Sequence, residues 1–218
     1  MTLDISLYGI LDPQIARGRR LTDLASLAAR GGASILQYRA KRTDTRAMIA
    51  EAREIHAALR GTGVPLLIND RVDVALAVGA EGVHLGQQDM HPADARAVLG
   101  QGAIIGATVK SLGDLEELAG TPINYACIGG VFATAHKDNP DPPLGIERFR
   151  VLRESARRSL GDIPVGAIAG VTADNAASLM EVGADGVAVI GSMFADEDVL
   201  RATALLAQTV ARARAART

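Results

Sequence analysis

Eight short apolar runs, each followed by a longer stretch with helical spacing, fill the chain from end to end. The runs lie near Leu7–Leu11, Ser34–Arg39, Pro65–Asn69, Gly82–Leu85, Ile104–Thr108, Asn124–Ile128, Pro164–Ile168 and Gly186–Ile190. Helical patterns follow at Asp23–Arg30, Asp44–Arg60, Val72–Val78, Pro92–Leu99, Leu112–Ala119, Ile146–Ser159, Ala173–Glu181 and Asp196–Arg214. Strand–helix alternation implies parallel strands joined by right-handed crossovers. Eight such units in 218 residues point to a closed barrel rather than an open sheet. The expected fold class is α/β, a (β/α)8 TIM barrel, with one domain over residues 1–218.

A tripeptide Gly-Ala-x stands before three of the expected strands: Gly32-Ala33-Ser34, Gly79-Ala80-Glu81 and Gly183-Ala184-Asp185. Glycine suits the left-handed position just past a helix end, and a strand can begin at once. The copies Gly79–Val83 and Gly183–Val187 form a weak internal repeat, as a barrel of repeated units predicts. The one long irregular stretch is Phe132–Gly145, and a loop of that length is expected to be functional or mobile. The closing Ala/Arg-rich run reads as a helix end whose positive charge complements the helix dipole.

Aromatic residues make up only 3% of the chain and Trp is absent, so the core must be built from Ala, Val, Ile and Leu. A net charge of −2 argues against a nucleic-acid binder, which would need a basic surface to neutralise phosphates. Small anionic ligands need only a local positive cluster. The single cysteine, Cys127, forms no internal disulfide and reads as a small core residue rather than a nucleophile. The N-terminus shows no signal-peptide pattern, and no apolar run approaches the roughly 18 residues of a membrane span. The expected location is cytoplasmic, with no nucleic-acid or membrane partner. A homo-oligomer is left open.

Barrel active sites lie where the strands end, in the loops leading to the helices. After the second strand comes Gln37-Tyr38-Arg39-Ala40-Lys41. Period-two alternation puts Gln37, Arg39 and Lys41 on one face, two cations suited to a diphosphate. A solvated strand end is the plain alternative. After the third and fourth strands come Asn69-Asp70-Arg71 and Gly86-Gln87-Gln88-Asp89. Asp70 and Asp89 on neighbouring strands would repel unless a cation lies between them, and Mg2+ takes one or two carboxylates plus water and phosphate oxygens. Each aspartate could instead cap a helix or turn. His84 reads as a buried structural residue, and His56 and His91 as surface residues. After the sixth strand, Gly129-Gly130 lets backbone amides approach a ligand, and Thr134, His136 and Lys137 supply donors. The small residues Ala169-Gly170 and Gly191-Ser192, with Ile190, mark a phosphate site after strands seven and eight. Together these features predict two phosphorylated small-molecule ligands.

Over nearly its full length the chain resembles the thiamine-phosphate synthase (thiamine-phosphate pyrophosphorylase) family. The resemblance is carried by Gln37–Lys41, Leu67–Ala77, Gly82–Asp89, the Thr134-x-x-Lys137 loop and Gly183–Ile190. It implies a transferase that joins 4-amino-2-methyl-5-(diphosphooxymethyl)pyrimidine to a thiazole phosphate, or its carboxylated form. By resemblance, Gln37, Tyr38, Arg39, Ala40, Lys41, Asn69, Thr108 and Lys137 bind the pyrimidine diphosphate. Asp70 and Asp89 hold Mg2+, while Thr134, Ala135, His136, Gly170, Ile190 and Gly191 bind the thiazole phosphate. Arg39, Lys41 and Lys137 are the implied catalytic cations, which would stabilise departing diphosphate. The family pattern has Ser at 108, Thr at 136, Gly at 169 and Ser at 191, where this chain has Thr108, His136, Ala169 and Gly191.

Three other readings remain. A thiazole tautomerase of the same barrel would use a His after the fifth strand, where this chain has Lys110. A Schiff-base aldolase would use Lys137 as nucleophile, between His136 and Asp138 in a polar loop. A ligand-binding relative would keep the fold without turnover.

Overall fold

A computed structural model describes residues 3–134 and 142–217. Eight parallel strands close into a barrel in chain order: β1 (Leu7–Leu11), β2 (Ile35–Tyr38), β3 (Leu66–Asn69), β4 (Gly82–Leu85), β5 (Ile104–Val109), β6 (Tyr125–Ile128), β7 (Val165–Ile168) and β8 (Gly186–Val189). Closure comes from β8 pairing with β1, Leu7 opposite Val187 and Gly9 opposite Val189. The outer layer holds α1 (Pro13–Ala16), α2 (Leu21–Gly31), α3 (Thr45–Leu59), α4 (Val72–Val78), α5 (Pro92–Leu99), α6 (Leu112–Leu118), α7 (Gly145–Leu160), α8 (Ala176–Glu181), α9 (Gly191–Phe194) and α10 (Val199–Ala215). Every expected strand and helix is present, with ends moved by a few residues. The four-residue helices α1 and α9 have no counterpart in the sequence reading, because one turn is too short for a periodicity to register.

The Gly-Ala-x repeat has one structural meaning in all three copies. Gly32, Gly79 and Gly183 have φ of 101°, 71° and 105°. The alanine amide that follows each bonds back to the helix: Ala33 to Ala28, Ala80 to Ala75 and Ala184 to Leu179. This is a Schellman helix stop. The third residue then enters the barrel. Ser34, Glu81 and Asp185 donate their amides to the carbonyls of Leu7, Leu66 and Val165, on the neighbouring strands. Their side chains accept from the amides of those same three residues at 3.1, 2.8 and 2.9 Å. A short polar side chain thus satisfies the backbone amide that opens each of those strands.

Two apolar layers result. One lies between strands and helices, and a smaller one fills the barrel with Ile5, Tyr8, Ile10, Ile35, Leu67, Tyr125, Cys127 and Ala188. Cys127 is buried there and burial pushes its thiol up to about 12, in line with a core role. No helix among the described residues is long and apolar enough to cross a membrane.

The interior has room for two tyrosines only because neighbouring strands supply glycine. A Cβ on Gly106 would lie 2.0 Å from Cζ of Tyr125. Gly106→Ala is therefore expected to destabilise the fold by about 3 kcal/mol or more, the upper range for overpacking a buried site. Chemical denaturation checks this, and a loss under about 1 kcal/mol would mean the interior yields more easily than its packing suggests.

Candidate active site

Loops following β2, β3 and β4 bring a cation and two carboxylates together. Asp70 ends β3 with its amide bonded to the His84 carbonyl, and a φ of 62° turns the chain sharply. A left-handed aspartate is strained, and such strain clusters at functional sites. Its carboxylate is ion-paired with Lys41. It does not cap a helix, since Arg71 holds the capping position of α4. Asp89 points back toward β4, where Oδ2 accepts from the Gly86 amide at 2.7 Å. Asp70 and Asp89 are in side-chain contact, and the Asp89 carboxyl is held above the ordinary carboxylate range. Burial is the main cause, and the hydrogen bond with Asp70 is the next. The pair carries more negative charge than its surroundings balance, and Lys41 already offsets part of it.

That imbalance is the test of whether a divalent cation fits. Among the described residues no group of three or more His, Cys, Asp or Glu is placed to hold a metal. Two carboxylates are enough for Mg2+ where water and ligand phosphates complete the shell. The chemistry of the donor set therefore fits Mg2+ carried with a phosphate ligand.

The rest of the strand-two segment divides. Arg39 is ion-paired at 2.5 Å with Asp12, a buried residue that ends β1 and whose other oxygen caps α1 through the Gln14 amide. Gln37 is buried and donates from Nε2 to the Tyr8 hydroxyl inside the barrel. Tyr38 faces the opposite way and donates its hydroxyl to Glu51 on α3. The Tyr38 side chain is thus directed into the helix layer and away from the mouth, because alternation along β2 sends it there. Ala40 is buried beside the rim.

Beneath the rim runs a buried polar chain. Tyr8 and Tyr125 share a hydroxyl contact of 2.9 Å, His84 Nδ1 is 2.8 Å from the Tyr125 hydroxyl, and His84 Nε2 is 2.8 Å from Thr108 Oγ1. His84 is structural in the sense expected, buried and bonded at both nitrogens. Thr108 and Asp89 line one cavity of about 120 Å³. Asn69 is buried at the end of β3.

Across the mouth, a second cavity of about 250 Å³ is lined by Thr134, Ile168 to Thr172 and Ala188 to Ser192. Ala169 and Gly170 both have positive φ, 87° and 67°. A Cβ on Gly170 would lie 2.4 Å from the Ala133 carbonyl oxygen. The two positive-φ residues turn the backbone sharply, and their small side chains leave it open to close approach by a ligand. Ser192 donates to the Val171 carbonyl at 2.7 Å, which ties the two loops together. Ala135, His136 and Lys137, and the centre of the Phe132–Gly145 loop, lie outside the described residues.

Sequence reasoning missed Asp12 and the tyrosine pair. Asp12 had a signal: an acid between an apolar strand and Pro13, which is a helix-start pattern. Tyr8 and Tyr125 had none, because nothing local distinguishes an inward from an outward tyrosine on a strand buried on both faces.

Comparison with known proteins adds an independent line. Residues 7–193 match the family model described as thiamine monophosphate synthase. The thiamine-phosphate synthase of Agrobacterium fabrum is 52% identical over 201 residues, covering 92% of this chain and 91% of that protein. That of Azorhizobium caulinodans is 41% identical, covering 97% of each. Among solved structures, a thiamine phosphate pyrophosphorylase from Pyrococcus furiosus superposes with a TM-score of 0.84 at 34% identity, covering 97% of this chain and 98% of that one.

The raised Asp89 carboxyl has a thermodynamic consequence. A carboxyl that is harder to ionise in the folded chain costs stability as pH rises above its ordinary value of 3.8 and through its folded value. Asp89→Asn is therefore expected to melt above the wild type at pH 7 without Mg2+, with the gap closing as pH falls toward 4. Magnesium at tenfold excess over its Kd should stabilise the wild type by about 1.4 kcal/mol and leave the variant unmoved. Equal magnesium shifts in both proteins, read by thermal melting, would remove Asp89 from the cation site.

Proposed function

The chain belongs to the thiamine monophosphate synthase family, and from that premise we propose that it is the transferase that joins 4-amino-2-methyl-5-(diphosphooxymethyl)pyrimidine to 4-methyl-5-(2-phosphooxyethyl)thiazole, giving thiamine phosphate and diphosphate. One observation carries the assignment of its site: Asp70, Asp89 and Lys41 meet on the rim, across from a small-residue cavity after β7 and β8. A synthase must handle two phosphorylated ligands, and these two regions have the chemistry for one each.

In this reading Asp70 and Asp89 hold Mg2+, which when bound neutralises charge on the departing diphosphate. Lys41 bridges the carboxylate pair and the leaving group, Arg39 binds diphosphate from its seat on Asp12, and Lys137 adds a third cation. Such fixed positive groups act where negative charge develops, and they need no reorganisation as the C–O bond breaks. Gln37 and Asn69 bind the pyrimidine end, and Thr108 takes a place near the diphosphate. The backbone of Tyr38 and Ala40 shapes that wall, since the Tyr38 side chain is engaged by Glu51. Thr134, Ala135, His136, Gly170, Ile190 and Gly191 bind the thiazole phosphate, with the sharp turn at Ala169-Gly170 supplying backbone amides. The attacking thiazole nitrogen carries no proton, so no general base is required. The aminopyrimidine ring spreads positive charge at its methylene carbon, so the leaving bond breaks before the new one forms. A single catalytic domain over residues 1–218 and a cytoplasmic location complete the proposal, the latter because both substrates are charged phosphates that do not cross membranes unaided.

A coupled assay for diphosphate release tests the reading. Release should require both substrates and stop when Mg2+ is chelated. Asp89→Ala should lower turnover by about tenfold to hundredfold or more, the scale seen when support of a bound metal is lost. Gly170→Ala should raise KM for the thiazole phosphate and leave KM for the pyrimidine diphosphate unchanged. Diphosphate release that ignores the thiazole substrate, or that persists under chelation, would contradict the proposal.

A further inference from the structure

Five side chains from five strands form one unbroken hydrogen-bonded chain through the barrel. It runs from Gln37 Nε2 to the Tyr8 hydroxyl, on to the Tyr125 hydroxyl, then to His84 Nδ1, and from His84 Nε2 to Thr108 Oγ1. Relative exposures of these residues run from 0% to 7%, so water does not compete along its length. The chain begins and ends on residues that the proposed function assigns to a single ligand, the pyrimidine diphosphate. The inference below rests on that assignment.

Each inner member has limited proton stock. A phenol has one proton, and a neutral imidazole donates at one nitrogen and accepts at the other. Only two proton orders therefore satisfy every link. With the amide nitrogen of Gln37 donating to Tyr8, Tyr8 donates to Tyr125, Tyr125 donates to His84 Nδ1, and His84 Nε2–H donates to Thr108. The Gln37 amide then keeps its carbonyl oxygen for a ligand, and the Thr108 hydroxyl keeps its proton for one. In the reverse order the Gln37 amide turns over and offers N–H, while Thr108 donates inward to His84 and offers only lone pairs. A mixed order leaves a buried clash of two donors or two acceptors, which costs about 1–3 kcal/mol.

We propose that this chain is a relay of hydrogen-bond polarity that makes the enzyme read both ends of the pyrimidine diphosphate at once, and so selects a 4-aminopyrimidine over its 4-oxo counterpart. The structure sets the Gln37 amide nitrogen on Tyr8, which selects the first order. It offers an acceptor at Gln37, which suits an exocyclic amine, and a donor at Thr108, which suits a diphosphate oxygen. A 4-oxo ring would ask Gln37 for a donor. That demand reverses the relay and turns the lone pairs of Thr108 toward the negatively charged diphosphate. Tyr8, Tyr125 and His84 are thus positioning residues that act through Gln37 and Thr108.

The test uses equilibrium binding of the 4-amino and 4-oxo pyrimidine diphosphates to the whole enzyme with Mg2+ and without the thiazole substrate. The wild type should prefer the amine by at least about hundredfold, as sites built to pair a buried polar group discriminate. Tyr125→Phe and Tyr8→Phe each cut the relay while keeping the ring, and each should shrink that ratio by about tenfold or more. Cys127→Ala, a neighbour outside the relay, should leave it unchanged. Nitrogen-15 NMR of the wild-type enzyme needs no variant to fold: with the amine ligand bound, His84 should carry its proton on Nε2 and not on Nδ1. A wild type indifferent to the 4-substituent would overturn the relay. So would relay variants in which both affinities fall together at a constant ratio, or an Nδ1–H tautomer. Failure of the proposed function looks different, because it appears as wild-type enzyme that releases no diphosphate with both substrates present.

Discussion

Closure of the barrel is the constraint on which the site depends. Eight parallel strands in chain order put all their C-terminal ends on one rim, so residues far apart in sequence meet without any special device. Asp12, Arg39, Lys41, Asp70 and Asp89 come from the ends of four successive strands, and adjacent strand ends pair them: Asp12 with Arg39, Lys41 with Asp70, Asp70 with Asp89. The result is an ordered row along one arc: an acid, two cations and then two acids. Backbone hydrogen bonds of the sheet hold that row in register, and they also bring the strained aspartate at 70 to the point where the charges meet.

Closure limits the interior as well. Tyrosines on β1 and β6 and a histidine on β4 occupy it, and the glycine at 106 leaves the space that Tyr125 needs. A polar chain in such a place is costly unless every member is bonded. Here its two ends are Gln37 and Thr108, which the proposed function assigns to one ligand. The layer that fills the barrel and the layer that recognises substrate are then the same set of side chains seen from below and above.

Much of this was legible in the sequence, for identifiable reasons. Alternation between apolar runs and helical spacing is a long-range pattern repeated eight times, so the barrel and its element order followed from it. The Gly-Ala-x stops could be read because a left-handed helix end has few chemical solutions. Asp70 and Asp89 could be paired because neighbouring strands of a barrel have neighbouring ends. The direction of single side chains was less legible. Gln37, Tyr38 and Arg39 are consecutive, yet they go to the interior, to α3 and to Asp12 respectively. Strand alternation predicts that neighbours diverge, but it does not say which partner waits on each side. Short helices α1 and α9 escaped notice because a single turn leaves no period. The change from Ser to Gly at 191 costs little in this structure, since the hydroxyl of Ser192 ties the loops together and residue 191 contributes backbone.

The central claim is that Asp70 and Asp89 share one cation with the leaving diphosphate. Crystals grown with Mn2+ in place of Mg2+ and with inorganic diphosphate would test it through the anomalous signal of manganese. The account predicts one manganese peak between the two carboxylates, bonded to both and to diphosphate oxygens, with Lys41 moved from Asp70 toward the anion. A manganese peak bound elsewhere on the rim, or diphosphate seated in the cavity after β7 and β8 with no metal at the aspartates, would contradict it.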